Sequence, residues 1–207
     1  MNGDHCPCEI THPLRRVVLT GGPGAGKTAA LELVRKSFCR HVHVLPEAAT
    51  ILFGGGFPRE EHPDAKKAGQ RAIYYIQREL EALPAPYGTA AVTVCDRGTL
   101  DGLAYWPGAP DEMSAAVGTT IGQEMARYQT VIHLRTPSAA QGYNHSNSLR
   151  TESAAVAADI DERIANVWSA HPRRLIVESR ADFLTKAAEV LGILRAEIPG
   201  CCQGRRH

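Results

Sequence analysis

The stretch whose reading decides the fold is Val17-Val18-Leu19-Thr20-Gly21-Gly22-Pro23-Gly24-Ala25-Gly26-Lys27-Thr28-Ala29. Val17 to Thr20 is an apolar, β-branched run without polar alternation, the pattern of a strand buried on both faces. Gly21 to Thr28 then satisfies G-x-x-x-x-G-K-[ST] at every fixed position. Leu31, Val34 and Phe38 follow at helical spacing, so the motif sits between a strand and a helix, as its chemistry requires. Glycines let successive backbone N–H groups turn inward toward phosphate oxygens, and the helix adds its positive N-terminal end. Lys27 can reach β- and γ-phosphates, and the Thr28 hydroxyl can ligate Mg²⁺. Gly22, Pro23, Gly24, Ala25, Gly26, Lys27, Thr28 and Ala29 are therefore the expected nucleotide-binding residues.

Outward from this loop, the same alternation of short strands and longer helices continues. Val42 to Leu45, Ala91 to Cys95, Val131 to Leu134 and Leu175 to Val177 read as strands. Ala72, Ile73, Ile76, Leu80 and Leu83 recur at helical spacing, as do Ile160, Ile164, Val167 and Trp168, and then Phe183, Ala187, Val190, Leu191 and Leu194. Strands separated by helix-length segments predict an α/β fold with a parallel sheet between two helical layers. Gly54 to Asp64 and Thr136 to Ser148 read as loops. The second is long enough to act as a lid.

Composition sets the outer bounds. The chain has 207 residues, 43% of them hydrophobic and 22% charged, with a net charge of +1. That is one ordinary globular domain without a global field for nucleic acid or an anionic membrane. No run approaches the ~18 apolar residues of a membrane span, and Met1 to Pro13 lacks the apolar core of a secretory signal. The chain is thus expected to be cytoplasmic, with its six cysteines reduced. Cys6-Pro7-Cys8 is one residue too tight for the usual zinc pair, so the terminal cysteines and histidines read as free side chains on frayed ends.

Two carboxylates stand at strand ends, where ligands collect in open parallel sheets. Asp96 ends the third strand and can hold Mg²⁺ through water. The next residue is Arg97 rather than the Glu with which motor ATPases activate water. No Asn-Lys-x-Asp stretch selects guanine, so ATP is the default nucleotide, with GTP possible. Glu47 ends the second strand in Leu45-Pro46-Glu47-Ala48-Ala49, beside the expected acceptor. It can orient or deprotonate a substrate hydroxyl; the alternative is a plain helix-capping Glu. Arg97 either holds substrate or a transferring phosphate, or pairs with Asp101.

Taken together, Val18 to Thr28, Pro46-Glu47-Ala48-Ala49, Asp96-Arg97-Gly98-Thr99-Leu100-Asp101-Gly102-Leu103-Ala104-Tyr105 and Leu149-Arg150-Thr151-Glu152-Ser153 follow one pattern. It resembles the AAA-type ATPase-like P-loop domain shared by the ribosylnicotinamide kinase part of NAD-biosynthesis regulators and by TRPL translocation defect proteins. The resemblance runs from about Arg15 to Lys186. It implies a P-loop NTPase fold close to nucleoside and nucleotide kinases, with five parallel strands in the order 2-3-1-4-5. Members include a small-molecule kinase and GTP- and phosphoinositide-binding regulators, so the family does not fix an activity. A polar tail over 1–14, a kinase-like domain over 15–198 with a lid around 136–152, and a C-terminal tail over 199–207 are expected.

The functional expectation is a Mg²⁺-dependent, ATP-dependent kinase of a small, nucleoside-like acceptor. Lys27, Glu47, Asp96, Arg97 and Arg150 are its catalytic candidates, Thr28 and Asp96 its Mg²⁺ ligands. Arg150, at the end of the lid, would close on the γ-phosphoryl as an arginine finger does. The alternatives are a nucleotide-binding switch or a slow NTPase without a metabolite acceptor.

Overall fold

The computed structural model of the chain describes residue 8 and residues 10–83, 90–137, 154–179 and 182–200. Five strands form one parallel sheet: β1 (Arg15–Thr20), β2 (Val42–Leu45), β3 (Val92–Asp96), β4 (Thr130–Leu134) and β5 (Arg174–Val177), in the order β2-β3-β1-β4-β5. Helices α1 (Lys27–Ser37), α2 (Ala48–Gly54), α3 (Pro63–Ala82), α4 (Pro110–Ala116), α5 (Ile121–Met125), α6 (Ala154–Val167) and α7 (Phe183–Glu197) surround it, with a 3₁₀ turn at Asp101–Ala104. The expected strands and strand order are all present. The short helices α2, α4 and α5 are additions that no periodicity announces.

The strand pleat explains the layers. Successive side chains point to opposite faces, so Val17, Leu19, Val92, Val94, Ile132 and Leu134 enter one core with Ala30, Leu31 and Val34 of α1 and Val190 and Leu194 of α7. Val18, Cys95 and Val131 enter the other, with Tyr74 of α3, Leu103 of the 3₁₀ turn and Ile160, Ile164 and Trp168 from α6 and its end. Val17, Val18 and Leu19 are completely buried, which is why β1 carries no polar alternation.

Helix ends follow their local chemistry. Asp182 caps α7 by accepting from Leu184 N–H at 3.0 Å and Thr185 N–H at 2.9 Å. Thr120 and Gln123 form a reciprocal capping box at the start of α5. Gly26, at φ 92, opens α1 in a left-handed conformation that a side chain disfavours. The carboxyl ends of β1, β2 and β3 thereby deliver the glycine loop, Glu47 and Asp96-Arg97 to one edge of the sheet. Among the described residues, no helix is long and apolar enough to cross a membrane.

Candidate functional site

At the head of the site, the first turn of α1 has no side-chain cap, so its orphan N–H groups face outward at the loop. Lys27, on that turn, is buried and folds back over the loop. Its Nζ donates to Gly21 O at 2.8 Å and Gly22 O at 3.0 Å. Burial, then the Arg97 guanidinium, lower this ammonium from 10.5 to about 7, against the pull of Asp96, Glu47 and Asp101. A phosphate is the group that would restore its charge.

Asp96 closes β3 opposite Leu19 of β1. Burial raises its carboxyl from 3.8 to about 6, with Lys27 opposing and Glu47 adding to the rise. Asp96 and the Thr28 hydroxyl are hard oxygen donors that suit Mg²⁺. A desolvated carboxylate of raised pKa is one that a cation would stabilise, so the residues present fit that ion.

Arg97 is the residue the chain bends to place. It has φ 70, the left-handed region, and among the described residues it is the non-glycine that adopts it. Such a conformation costs about 1–3 kcal/mol and persists where surrounding contacts enforce it. Its N–H donates to Leu19 O at 3.1 Å. Its side chain then crosses to β2, where Nε donates to Glu47 Oε1 at 2.7 Å. The guanidinium also reaches Gly21 O at 3.3 Å and Asp101 at 3.6 Å, and lies 5.8 Å from the Tyr105 ring centre. Burial works against the Arg97 charge, but Tyr105, Glu47 and Asp101 outweigh it and push its pKa up, so it stays cationic.

Glu47 occupies the N-cap position of α2, yet its side chain makes no capping bond. It accepts instead from the Thr50 hydroxyl at 2.6 Å and from Arg97. Burial alone would raise its carboxyl, but Arg97 and Thr50 outweigh that and hold it below the usual range. The carboxylate is therefore ionised and aimed, a hydrogen-bond acceptor rather than a strong base. The structure thus brings Lys27, Glu47, Asp96 and Arg97 together around the loop. Arg150 and the lid from 138 to 152 lie outside the described residues.

Two residues of this neighbourhood, Asp161 and Lys186, carry no motif signal, and a third, Asp101, is expected only as a partner of Arg97, which it is at 3.6 Å. Asp101 is buried under the site, accepting from the Thr20 hydroxyl, from Gly98 N–H at 2.9 Å and from Trp168 Nε1 at 3.2 Å. Asp161 of α6 accepts from Gly22 N–H and from His133 Nε2, each at 2.9 Å, and faces Arg135 at 3.3 Å. A Cβ on Gly22 would meet the Asp161 Cβ at 2.7 Å, so this close approach requires glycine. Lys186 of α7 is buried beneath the loop and donates to Ala25 O at 2.9 Å and Arg135 O at 2.6 Å. Burial lowers its ammonium from 10.5 to about 8. Gln77 of α3 is buried and donates to Glu81 at 2.8 Å. Tyr105 sits against Arg97, while Trp106 is a buried core residue.

A five-stranded parallel sheet carrying this glycine loop and these strand-end acids at one edge defines a P-loop nucleoside-triphosphate-binding protein of kinase-like fold. The profile of the AAA domain family matches residues 16–186, and the chain belongs to that family. Its structure is similar to that of a NadR protein in complex with NAD and AMP-PNP, at 12% identity and a TM-score of 0.62, over 93% of this chain and 50% of that one. The chain thus spans half the length of that neighbour. Candida albicans thymidylate kinase matches at 12% identity and a TM-score of 0.60, over 91% of this chain and 96% of its own. Deoxyadenosine kinase from M. mycoides with bound dATP matches at 12% identity and 0.57, over 86% and 98%. At such identity these likenesses establish the fold. No curated protein matches the sequence.

Proposed function

We propose that the chain is a kinase that transfers the γ-phosphoryl of ATP to a hydroxyl of a small, nucleoside-like metabolite. The observation that carries this reading is the Glu47–Arg97 pair, 2.7 Å apart, tied to the glycine loop through Gly21 O at 3.3 Å. An ion pair of ionised acceptor and fixed cation, adjacent to a phosphate site, can align a hydroxyl and neutralise a transferring phosphoryl. Motors and signalling switches need a positioned water there instead.

In this reading the N–H groups of Gly24, Ala25, Gly26, Lys27, Thr28 and Ala29 cradle the phosphates, while the Gly22 N–H stays with Asp161 and Pro23 shapes the turn. Lys27 exchanges its two carbonyl partners for phosphate oxygens. Thr28 and Asp96 would hold Mg²⁺, which when bound supplies charge neutralisation between the β- and γ-phosphates. Glu47 accepts a hydrogen bond from the acceptor hydroxyl and keeps its oxygen in line with the γ-phosphorus. As the new P–O bond forms, the hydroxyl O–H bond breaks and its proton passes to the Glu47 carboxylate and on to solvent, while the bond from the γ-phosphorus to the β–γ bridging oxygen breaks and the nucleoside diphosphate leaves. Arg97 shields the transferring charge. Arg150, brought in by the lid, adds a second cation.

The nucleotide neighbours of the fold support ATP, and the two kinases among them support a nucleoside-like acceptor. The test is nucleoside-diphosphate release from Mg-ATP across a panel of nucleosides and ribosylated metabolites. At least one acceptor is expected to stimulate release. Unstimulated release throughout, with tight nucleotide binding intact, removes the kinase reading.

A nucleotide-binding switch is the second reading, and one observation favours it. The start of the proposed lid is latched to the loop through Thr136, whose hydroxyl donates to Pro23 O at 3.3 Å, and through Asp161 on α6. Occupancy of the loop would then be felt directly by the segment after β4. Acceptor-independent slow turnover, together with nucleotide-dependent protection of α6 against hydrogen exchange, is its signature.

A further inference from the structure

At the opposite edge of the sheet, where β2 begins, the chain gathers cysteine and histidine side chains that the nucleotide site does not use. Cys8 Sγ lies 3.5 Å from His12 Nε2. The His12 and His41 rings meet edge to face, with centres 5.2 Å apart. One ligand atom from each of Cys8, His12 and His41 falls within 4.8 Å of the other two. Cys39 Sγ stands 3.5 Å from His41 Nδ1, and neither Cys8 nor Cys39 is in a disulfide.

We propose that Cys8, His12 and His41 form the core of a structural zinc(II) site, to which Cys39 turns from its contact with His41 to become the fourth ligand, and that the ion staples the segment before β1 to the start of the edge strand β2. Tetrahedral zinc with Zn–S near 2.3 Å and Zn–N near 2.0–2.1 Å places its ligand atoms about 3.3–3.8 Å apart. The two measured S···N separations already have that spacing. The set is two sulfurs and two imidazoles, a donor combination that selects zinc over Mg²⁺ or Ca²⁺. Two thiolates also cancel the charge of the ion.

The scaffold beneath the cluster is fixed. His41 is fully buried, and its carbonyl accepts from Ala91 N–H at 2.8 Å and Val92 N–H at 2.9 Å, anchoring it to the start of β3. Arg40 donates to Cys8 O at 2.9 Å, which holds Cys8 against the turn before β2 even without metal. The pairing is Cys-x₃-His with Cys-x-His, so the ligands come from two places in sequence. Reading Cys6-Pro7-Cys8 as the ligand pair therefore misses it. Because the cluster lies at the far edge from Lys27 and Asp96, its work is to hold the fold rather than to act on nucleotide.

The experiment is a titration of the reduced, metal-stripped full chain with Co(II), then Zn(II). Stoichiometric cobalt binding is expected, with tetrahedral ligand-field bands and a thiolate-to-cobalt charge-transfer band that zinc abolishes. Zinc is expected to raise Tm by roughly 5 °C at saturating excess. Cys8→Ser and His12→Ala, which alter half-buried side chains ahead of β1, each weaken the metal at least about tenfold, while nucleotide binding confirms that both variants fold. Cys201→Ser with Cys202→Ser leaves the spectrum unchanged. The proposal is overturned by absence of tetrahedral bands, by bands that survive Cys8→Ser and His12→Ala, or by a Cys8–Cys39 disulfide in protein that retains no zinc.

Discussion

Replacing Glu47 by Gln keeps the side chain's shape and removes the charge that faces Arg97 at 2.7 Å. Arg97 then retains Asp101, at 3.6 Å, as its remaining carboxylate among the described residues. Removing one partner of a fully buried ion pair costs about 3–5 kcal/mol. Here the Arg97 and Glu47 side chains are 16% and 27% exposed, and Asp101 stays. Solvent screening and the second acid reduce the loss to about 1–2 kcal/mol. For a chain of this size that is a fall in Tm of roughly 3–6 °C, read by differential scanning fluorimetry. The chemical effect is larger. A positioned carboxylate contributes about 10²–10⁴-fold to proton and hydroxyl alignment, so acceptor-dependent kcat falls by that range while nucleotide affinity stays close to that of the unmodified chain. Pairing E47Q with R97M in a double-mutant cycle separates the two effects, because the stability losses of contacting groups do not add. A lowered Tm with an unchanged acceptor-dependent rate refutes the reasoning, since Glu47 would then only anchor α2 and Arg97.

Two further outcomes rest on the buried lysines. With Lys27 at about 7 in the free chain, most loops at pH 8 carry a neutral amine; phosphate restores the ammonium, so binding takes up close to one proton. Calorimetry at pH 8 in buffers of different ionisation enthalpy is expected to show that uptake, and affinity is expected to weaken as pH rises above 7; K27M abolishes the uptake, and a flat profile in the unmodified chain contradicts it. Lys186 has a pKa of about 8 in the fold against 10.5 when unfolded. The unfolded chain therefore binds more protons between those values, and stability rises with pH across that window. K186M removes part of the rise but lowers Tm at neutral pH, because Ala25 O and Arg135 O lose their donor.

Much of this architecture is legible in the sequence because strands buried on both faces must be written as plain apolar runs. Val17 to Leu19 and Val131 to Leu134 are such runs, and the glycine loop between strand and helix fixes where the nucleotide edge lies. Glu47 and Asp96 were visible for the same reason: a strand end is a location as well as a residue. The short helices α4 and α5 were not visible, since seven and five residues are too few to express a helical period. Asp161 and Lys186 were hidden differently. Each serves backbone groups of the loop that lie 139 and 161 residues away in sequence, and backbone partners leave no mark in side-chain patterns. The Arg97–Glu47 pairing needed the left-handed turn after β3, which no propensity of Arg announces. The cysteine–histidine cluster escaped because its ligands come from two segments that meet only when β2 docks beside β3.

The central claim, that this edge transfers a phosphoryl group to an acceptor, is tested most directly by following the γ-phosphorus of ATP by ³¹P NMR in the presence of a stimulating acceptor. The account predicts a new phosphoester resonance that grows in step with nucleoside diphosphate and is lost in E47Q. Inorganic phosphate as the sole product, formed at the same rate with and without acceptor, would contradict it.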